Sequence, residues 1–148
     1  MRITEQSGVV LAQSIRAGTI SARAVVDAHI ELLERVHPAL NAVAADRYRQ
    51  ARLDADSADA RIADGDPATL PPLLGVPVTV KESIAVAGMP HSAGVVARKH
   101  LRPDIHATVV QRLVDAGAIE KAALSEIPRR AHLNARNHGV RADPENPG

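Results

Sequence analysis

The chain has 148 residues, with 18 Lys and Arg against 17 Asp and Glu, and a formal net charge of +1. That length suits one domain or a piece of a larger one, and so even a charge balance leaves no long-range field for phosphates or anionic lipid. The chain has no Cys, which excludes disulfides and thiolate metal sites. Tyr48 is the single aromatic residue, so the 45% hydrophobic content is carried mainly by Ala, Val, Leu and Ile. Such a core buries less area per position than one with rings, which predicts weak stability for this segment alone. The opening MRITEQSGVV lacks the order of a signal peptide, and no apolar run approaches the length of a membrane span. A soluble cytoplasmic chain without a membrane partner is the expectation.

In chain order, residues 6–16 read as a short amphipathic helix with Val9, Val10, Leu11 and Ile15 on its apolar side, closed by Gly18 as a C-cap. Ser21 fits as the N-cap of a longer helix, where Val25, Val26, Leu32, Leu33 and Val36 recur at three- and four-residue steps. His37-Pro38 is expected to stop it. Leu40 to Val43 is a short apolar stretch, and residues 44–64 read as a solvated helix with Leu53 and Ile62 as sparse anchors. Residues 65–74, GDPATLPPLL, form a turn-rich crossing. Residues 76–80 are a β-branched run and read as a short strand, with Pro77 limiting its ladder bonds. After an irregular stretch over 82–105, residues 107–116 give a helix with Val109, Val110, Leu113 and Val114 on one face. Gly117 closes it, and Ala118-Ile119 begins a strand. The tail from Pro128 is rich in Arg, Asn and Pro and has little apolar periodicity. Helices interleaved with short strands point to an α/β layer.

The chemistry concentrates at Pro72-Leu73-Leu74-Gly75-Val76-Pro77-Val78-Thr79-Val80-Lys81-Glu82-Ser83-Ile84. An ammonium at the end of an apolar strand is partly desolvated, which disfavours its charged form. A neutral lysine is a competent general base and can activate a nearby serine. Spacing alone leaves open the plainer reading, in which Lys81 marks a strand reaching solvent.

The wider pattern resembles the amidase signature family. That family reads Pro-Leu-x-Gly-Ile-Pro-x-x-x-Lys-Asp-x-Ile, then Ala-Gly-x-Pro and a Thr/Ser-Ala-Gly turn. Residues 72–84 match the first block, Ala87-Gly88-Met89-Pro90 the second and Ala93-Gly94 the third. Ala107-Thr108-Val109-Val110 and Ala116-Gly117-Ala118 resemble the helix that follows in the family. Residues 15–22 and Asn41-Ala42 resemble its opening helices and their connection, so the resemblance runs through nearly the whole chain.

The resemblance implies an α/β fold, the N-terminal part of the amidase-signature fold, with helices packed on an incomplete mixed sheet. It implies helices over 1–64, a lysine-bearing part over 72–127 and a mobile tail over 128–148. It also implies amide hydrolysis by a Ser–cis-Ser–Lys triad, with Lys81 as the catalytic lysine and no cofactor or metal. In that chemistry the lysine works through a cis-serine to activate a nucleophilic serine. An acyl-enzyme forms, ammonia or an amine leaves, and water hydrolyses the ester. The serine loop falls beyond this sequence, so the chain is expected to be inactive alone. Its expected partners are a small amide substrate in the complete enzyme and the missing C-terminal segment. The 76–80 strand would be central in such an enzyme, with neighbours supplied partly by later sequence.

Three departures from the family pattern stand out. Glu82 replaces an Asp, and His106 replaces an Asp at a helix start, which predicts a weaker cap there. Glu120-Lys121-Ala122-Ala123 replaces a strand ending in Gly-Lys/Arg-Thr-Asn, two residues shorter. A catalytically silent gene remnant and a small helical interaction module are therefore the alternative readings. His132 and His138 lie in a polar tail without a carboxylate cluster and read as solvated rather than as metal ligands. Arg129, Arg130, Arg136 and Arg141 have no interleaved aromatics, which argues against nucleic acid. Ser92 beside His91 does not read as a catalytic dyad.

Overall fold

A computed structural model describes the backbone of residues 2–124 and the side chains of residues 2–120. The tail expected from residue 128 onward lies outside the described residues. Helix α1 spans Gly8–Arg16, α2 Ala22–Leu40, α3 Tyr48–Asp64 and α4 Thr108–Asp115. Strand β1 is Val43–Asp46, β2 Pro77–Lys81 and β3 Ile119–Leu124. The strands form one mixed sheet in the order β1-β3-β2. β3 runs antiparallel to β1 and parallel to β2, and α4 makes the crossover between the parallel pair. Among the described residues no helix is long and apolar enough to cross a membrane.

Side-chain oxygens start the first two helices. The Ser7 hydroxyl accepts from Val10 N–H at 3.3 Å, and the Ser21 hydroxyl accepts from Ala24 N–H at 3.0 Å. Asp59, reaching across from α3, accepts from the Ala22 and Arg23 amides at 2.6 and 3.0 Å, placing a carboxylate on the positive end of α2. Gly18 follows α1 at φ +67°, the left-handed cap expected for it. In α1, however, only Leu11 and Ile15 are buried, and Val9 and Val10 face outward.

α2 runs through His37-Pro38 to Leu40 and ends on Asn41 at φ 51°, whose N–H bonds the His37 carbonyl. Pro38 sits in the last turn, where its missing N–H removes one ladder bond and no further turn depends on it. The buried line of α2 is Ala22, Val25, Val26 and Ile30. Against it α3 presents Ala51, Ala55 and Ala58, while Leu53 is exposed. Alanine spacing therefore does what the larger anchors were expected to do: small side chains let the two helix axes approach closely. Asp27 then ties the pair, accepting from Arg23 Nε and Arg52 Nε at 2.7 Å each.

Residues 43–46 form a strand where the sequence suggested a helix beginning at 44. Val-Ala-Ala-Asp carries little local β preference, and pairing with β3 decides the outcome. Arg16 fixes the turn-rich crossing by donating to the carbonyls of Pro67, Leu70 and Pro71 at 2.5 to 3.1 Å. The main core joins Ile15, Val25, Val26, Ile30, Leu74, Val76 and Ile119. A second cluster of Val80, Val86, Met89 and Val110 sits under α4. α4 starts at Ala107 with no side-chain cap, in line with the expected weak start.

Two glycine turns lock β2 beside β3. Gly75 has φ +83° and Gly117 φ +90°. The Gly75 amide bonds the Gly117 carbonyl at 3.1 Å, and the Ile119 amide bonds the Val76 carbonyl at 2.8 Å. A Cβ on Gly75 would lie 2.6 Å from the Ala22 Cβ, and one on Gly117 would lie 2.8 Å from the Leu74 Cα. Replacing Gly75 with Ala adds a left-handed penalty of about 1 kcal/mol to overpacking of about 2 kcal/mol. Urea denaturation of Gly75→Ala is expected to show a loss of about 3 kcal/mol; a loss below about 1 kcal/mol would contradict the tight crossing.

Candidate active site

Lys81 is the last residue of β2. Side chains alternate along a strand, so buried Val80 points to the cluster under α4, while Thr79 and Lys81 share the other, open face. Lys81 is exposed. The strand-end desolvation expected for it is thus not made by β2 and its described neighbours.

Glu82 turns the opposite way and is buried, at 9% exposure. One carboxylate oxygen accepts from the Ser92 amide in a short bond, and the other accepts from the Ala93 amide at 2.9 Å. His91 Nδ1 lies 3.2 Å from the Glu82 carbonyl, and the Ser92 hydroxyl accepts from the Gly94 amide. Ala93 and Gly94 are both left-handed, at φ 49° and 75°. The carboxylate therefore stabilises a turn that local propensity disfavours at Ala93. Burial alone would push the Glu82 carboxyl up. Bonds from Ser92 and the Ala93 amide, with the field of His91, outweigh this and hold it below its ordinary value. His91 and Ser92 each take a hydrogen bond of this loop.

The structure thus ties Glu82, the residue that follows β2, to the 91–94 turn, while Lys81 stands on the other, open side. Sequence reasoning noted Glu82 only as a departure from a motif. The available signal was Ala93-Gly94, a turn that needs an acceptor for its amides.

A second buried carboxylate was not foreseen. Glu120, on β3, accepts from Arg47 Nη1 at 2.7 Å through one oxygen. Its other oxygen is buried with no hydrogen-bond partner, and His106 Nδ1 lies 3.6 Å from it. The same ring nitrogen accepts from the Ala87 amide at 3.4 Å. Arg47 lies 73 positions from Glu120, so no local pattern could announce the pair.

Comparison with known proteins gives this geometry its class. The family model described as Amidase matches residues 24–126. Fatty-acid amide hydrolase 2-B of Danio rerio is 37% identical over 147 residues, which cover 95% of this chain and 28% of the relative. Indoleacetamide hydrolase of Bradyrhizobium diazoefficiens is 36% identical over 148 residues, 98% of this chain and 28% of the relative. Among solved structures, a bacterial aryl acylamidase of the amidase signature family superposes with a TM-score of 0.72 at 28% identity, covering 80% of this chain and 25% of that one. Fatty acid amide hydrolase superposes at 0.77 and 25% identity, covering 84% and 22%. The chain belongs to the amidase signature family. It spans 28% of the length of these two curated relatives.

Two stability measurements test the site. A carboxyl held low in the folded state contributes in full above its unfolded value and is lost as pH falls through the folded value. Wild-type stability should therefore decline below about pH 4.5 more steeply than that of Glu82→Gln. At pH 7 the variant should be weaker by about 1–2 kcal/mol; parallel pH profiles would contradict the clamp. Arg47→Ala leaves Glu120 buried and unpaired, and should cost about 3 kcal/mol by chemical denaturation. The double variant Arg47→Met/Glu120→Leu should recover most of that loss.

Proposed function

We propose that this chain supplies the lysine-bearing part of an amide hydrolase, with Lys81 as the base that activates a serine carried on other sequence of the domain. The observation that carries the reading is the position of Lys81. It ends a parallel strand and is exposed on the open face of the sheet, and the residue after it, Glu82, is held by backbone amides on the opposite side. An amine there can take the serine proton, directly or through a second hydroxyl. The serine oxygen then bonds the amide carbon, the C–N bond breaks, and the proton passes to the departing ammonia or amine. Water cleaves the resulting ester and returns the serine. The names of the relatives, among them fatty-acid amide and indoleacetamide hydrolases, support a small amide as substrate. The other partner in this reading is the remaining amidase polypeptide, which covers the open face, desolvates Lys81 and brings the serines.

The 148-residue chain alone should release no ammonia from a panel of aliphatic and aryl amides, because a base without nucleophile and oxyanion donors cannot form an acyl-enzyme. A chimera replacing the matching part of the Bradyrhizobium indoleacetamide hydrolase with this chain should hydrolyse indoleacetamide. Lys81→Ala in that chimera should lower kcat by about a thousandfold with little change in KM. Turnover within tenfold of the parent would overturn the assignment of Lys81.

A further inference from the structure

α4 is strongly amphipathic, yet only the centre line of its apolar face is covered. Val110 is buried, while Val114 on one flank is 36% exposed. That flank opens into a groove of about 270 Å³ between α3 and α4. The floor of the groove is Leu74, Ala118 and Ile119, core residues that are each less than 9% exposed. Its rim carries Ser57, Asp54 and Arg61, so both charge signs border an apolar floor. An apolar floor, a polar rim and a half-covered helix face together have the form of a packing surface.

We infer that this groove seats a segment of the remaining amidase-signature polypeptide, inserting apolar side chains against Val114, Ala118 and Ile119. The occupant follows from length and superposition. The solved relatives superpose on 80–84% of this chain, which accounts for only 22–25% of each of them. Roughly three quarters of each of those chains lies outside the part matched here. The inference rests on the amide-hydrolase reading only in its choice of partner.

The test supplies the partner in trans. The full 148-residue chain is co-expressed with the part of the Bradyrhizobium hydrolase that it does not match, and complex formation is measured by tagged co-purification and size exclusion. A complex of one copy of each is expected. Ser57→Trp, which fills the groove from an exposed position, and Val114→Asp, which charges its wall, should each weaken recovery about tenfold or more. Val9→Asp, on the exposed side of α1, should leave recovery unchanged, and circular dichroism checks that all three variants keep their helices. Absence of a complex, or a complex indifferent to both groove variants, would overturn the inference. Self-association of the chain lost in those two variants would overturn it in favour of a second copy as occupant. Lys81→Ala separates the two readings. A Lys81→Ala complex that turns over amide as fast as the unsubstituted one, or an unsubstituted complex that turns over none, would sink the catalytic proposal and leave the groove standing. Turnover that survives Ser57→Trp and Val114→Asp would do the reverse.

Discussion

The close approach of Gly75 and Gly117 is the constraint on which the lysine strand depends. Two left-handed turns meet backbone to backbone, and each has room only for hydrogen at its Cα. Their contact starts β2 and β3 side by side, with Pro77 opposite Ile119 and Lys81 opposite Leu124 at the far end. Gly75 also rests on Ala22 and Ile15, so the same point fixes the sheet against α1 and α2. The position of Lys81 is thus set at the other end of its strand, by residues that take no part in chemistry.

From that crossing the two hydrophobic clusters divide the labour. The larger holds the helices to Leu74, Val76 and Ile119, where the strands begin. The smaller, under α4, holds Val80 and the loop at Val86 and Met89, where the lysine strand ends. Both are built without Phe or Trp. Close packing is reached instead through alanine: Ala51, Ala55 and Ala58 of α3 bring their helix near Val26 and Ile30 of α2, and ion pairs around Asp27 hold the approach.

The features legible in the sequence were those with local causes. Ser21 as a cap, Gly18 and Gly117 as helix closures, the β-branched run ending at Lys81 and the amphipathic pattern of α4 each depend on neighbours a few residues away. The incomplete mixed sheet followed from the family resemblance. The features that were not legible depend on distant partners. β1 exists because β3 pairs with it from almost eighty positions away, and nothing in Val-Ala-Ala-Asp favours a strand over a helix. Pro38 reads as a helix stop, but in the last turn it costs α2 a single bond. Val9 and Leu53 read as anchors because they are large. Burial instead selected the smaller residues that lie where the helices cross.

Lys81 and Glu82 show how one strand end can separate two opposite charges that are adjacent in sequence. Alternation sends them to opposite sides, so their side chains experience different media. The carboxylate is buried and both its oxygens are engaged by backbone amides, which keeps it ionised and fixes it as a structural group. The lysine is left on the open face. The strand and the glycine crossing set where the amine stands, while the Glu82 bonds fix the 91–94 turn on the opposite side.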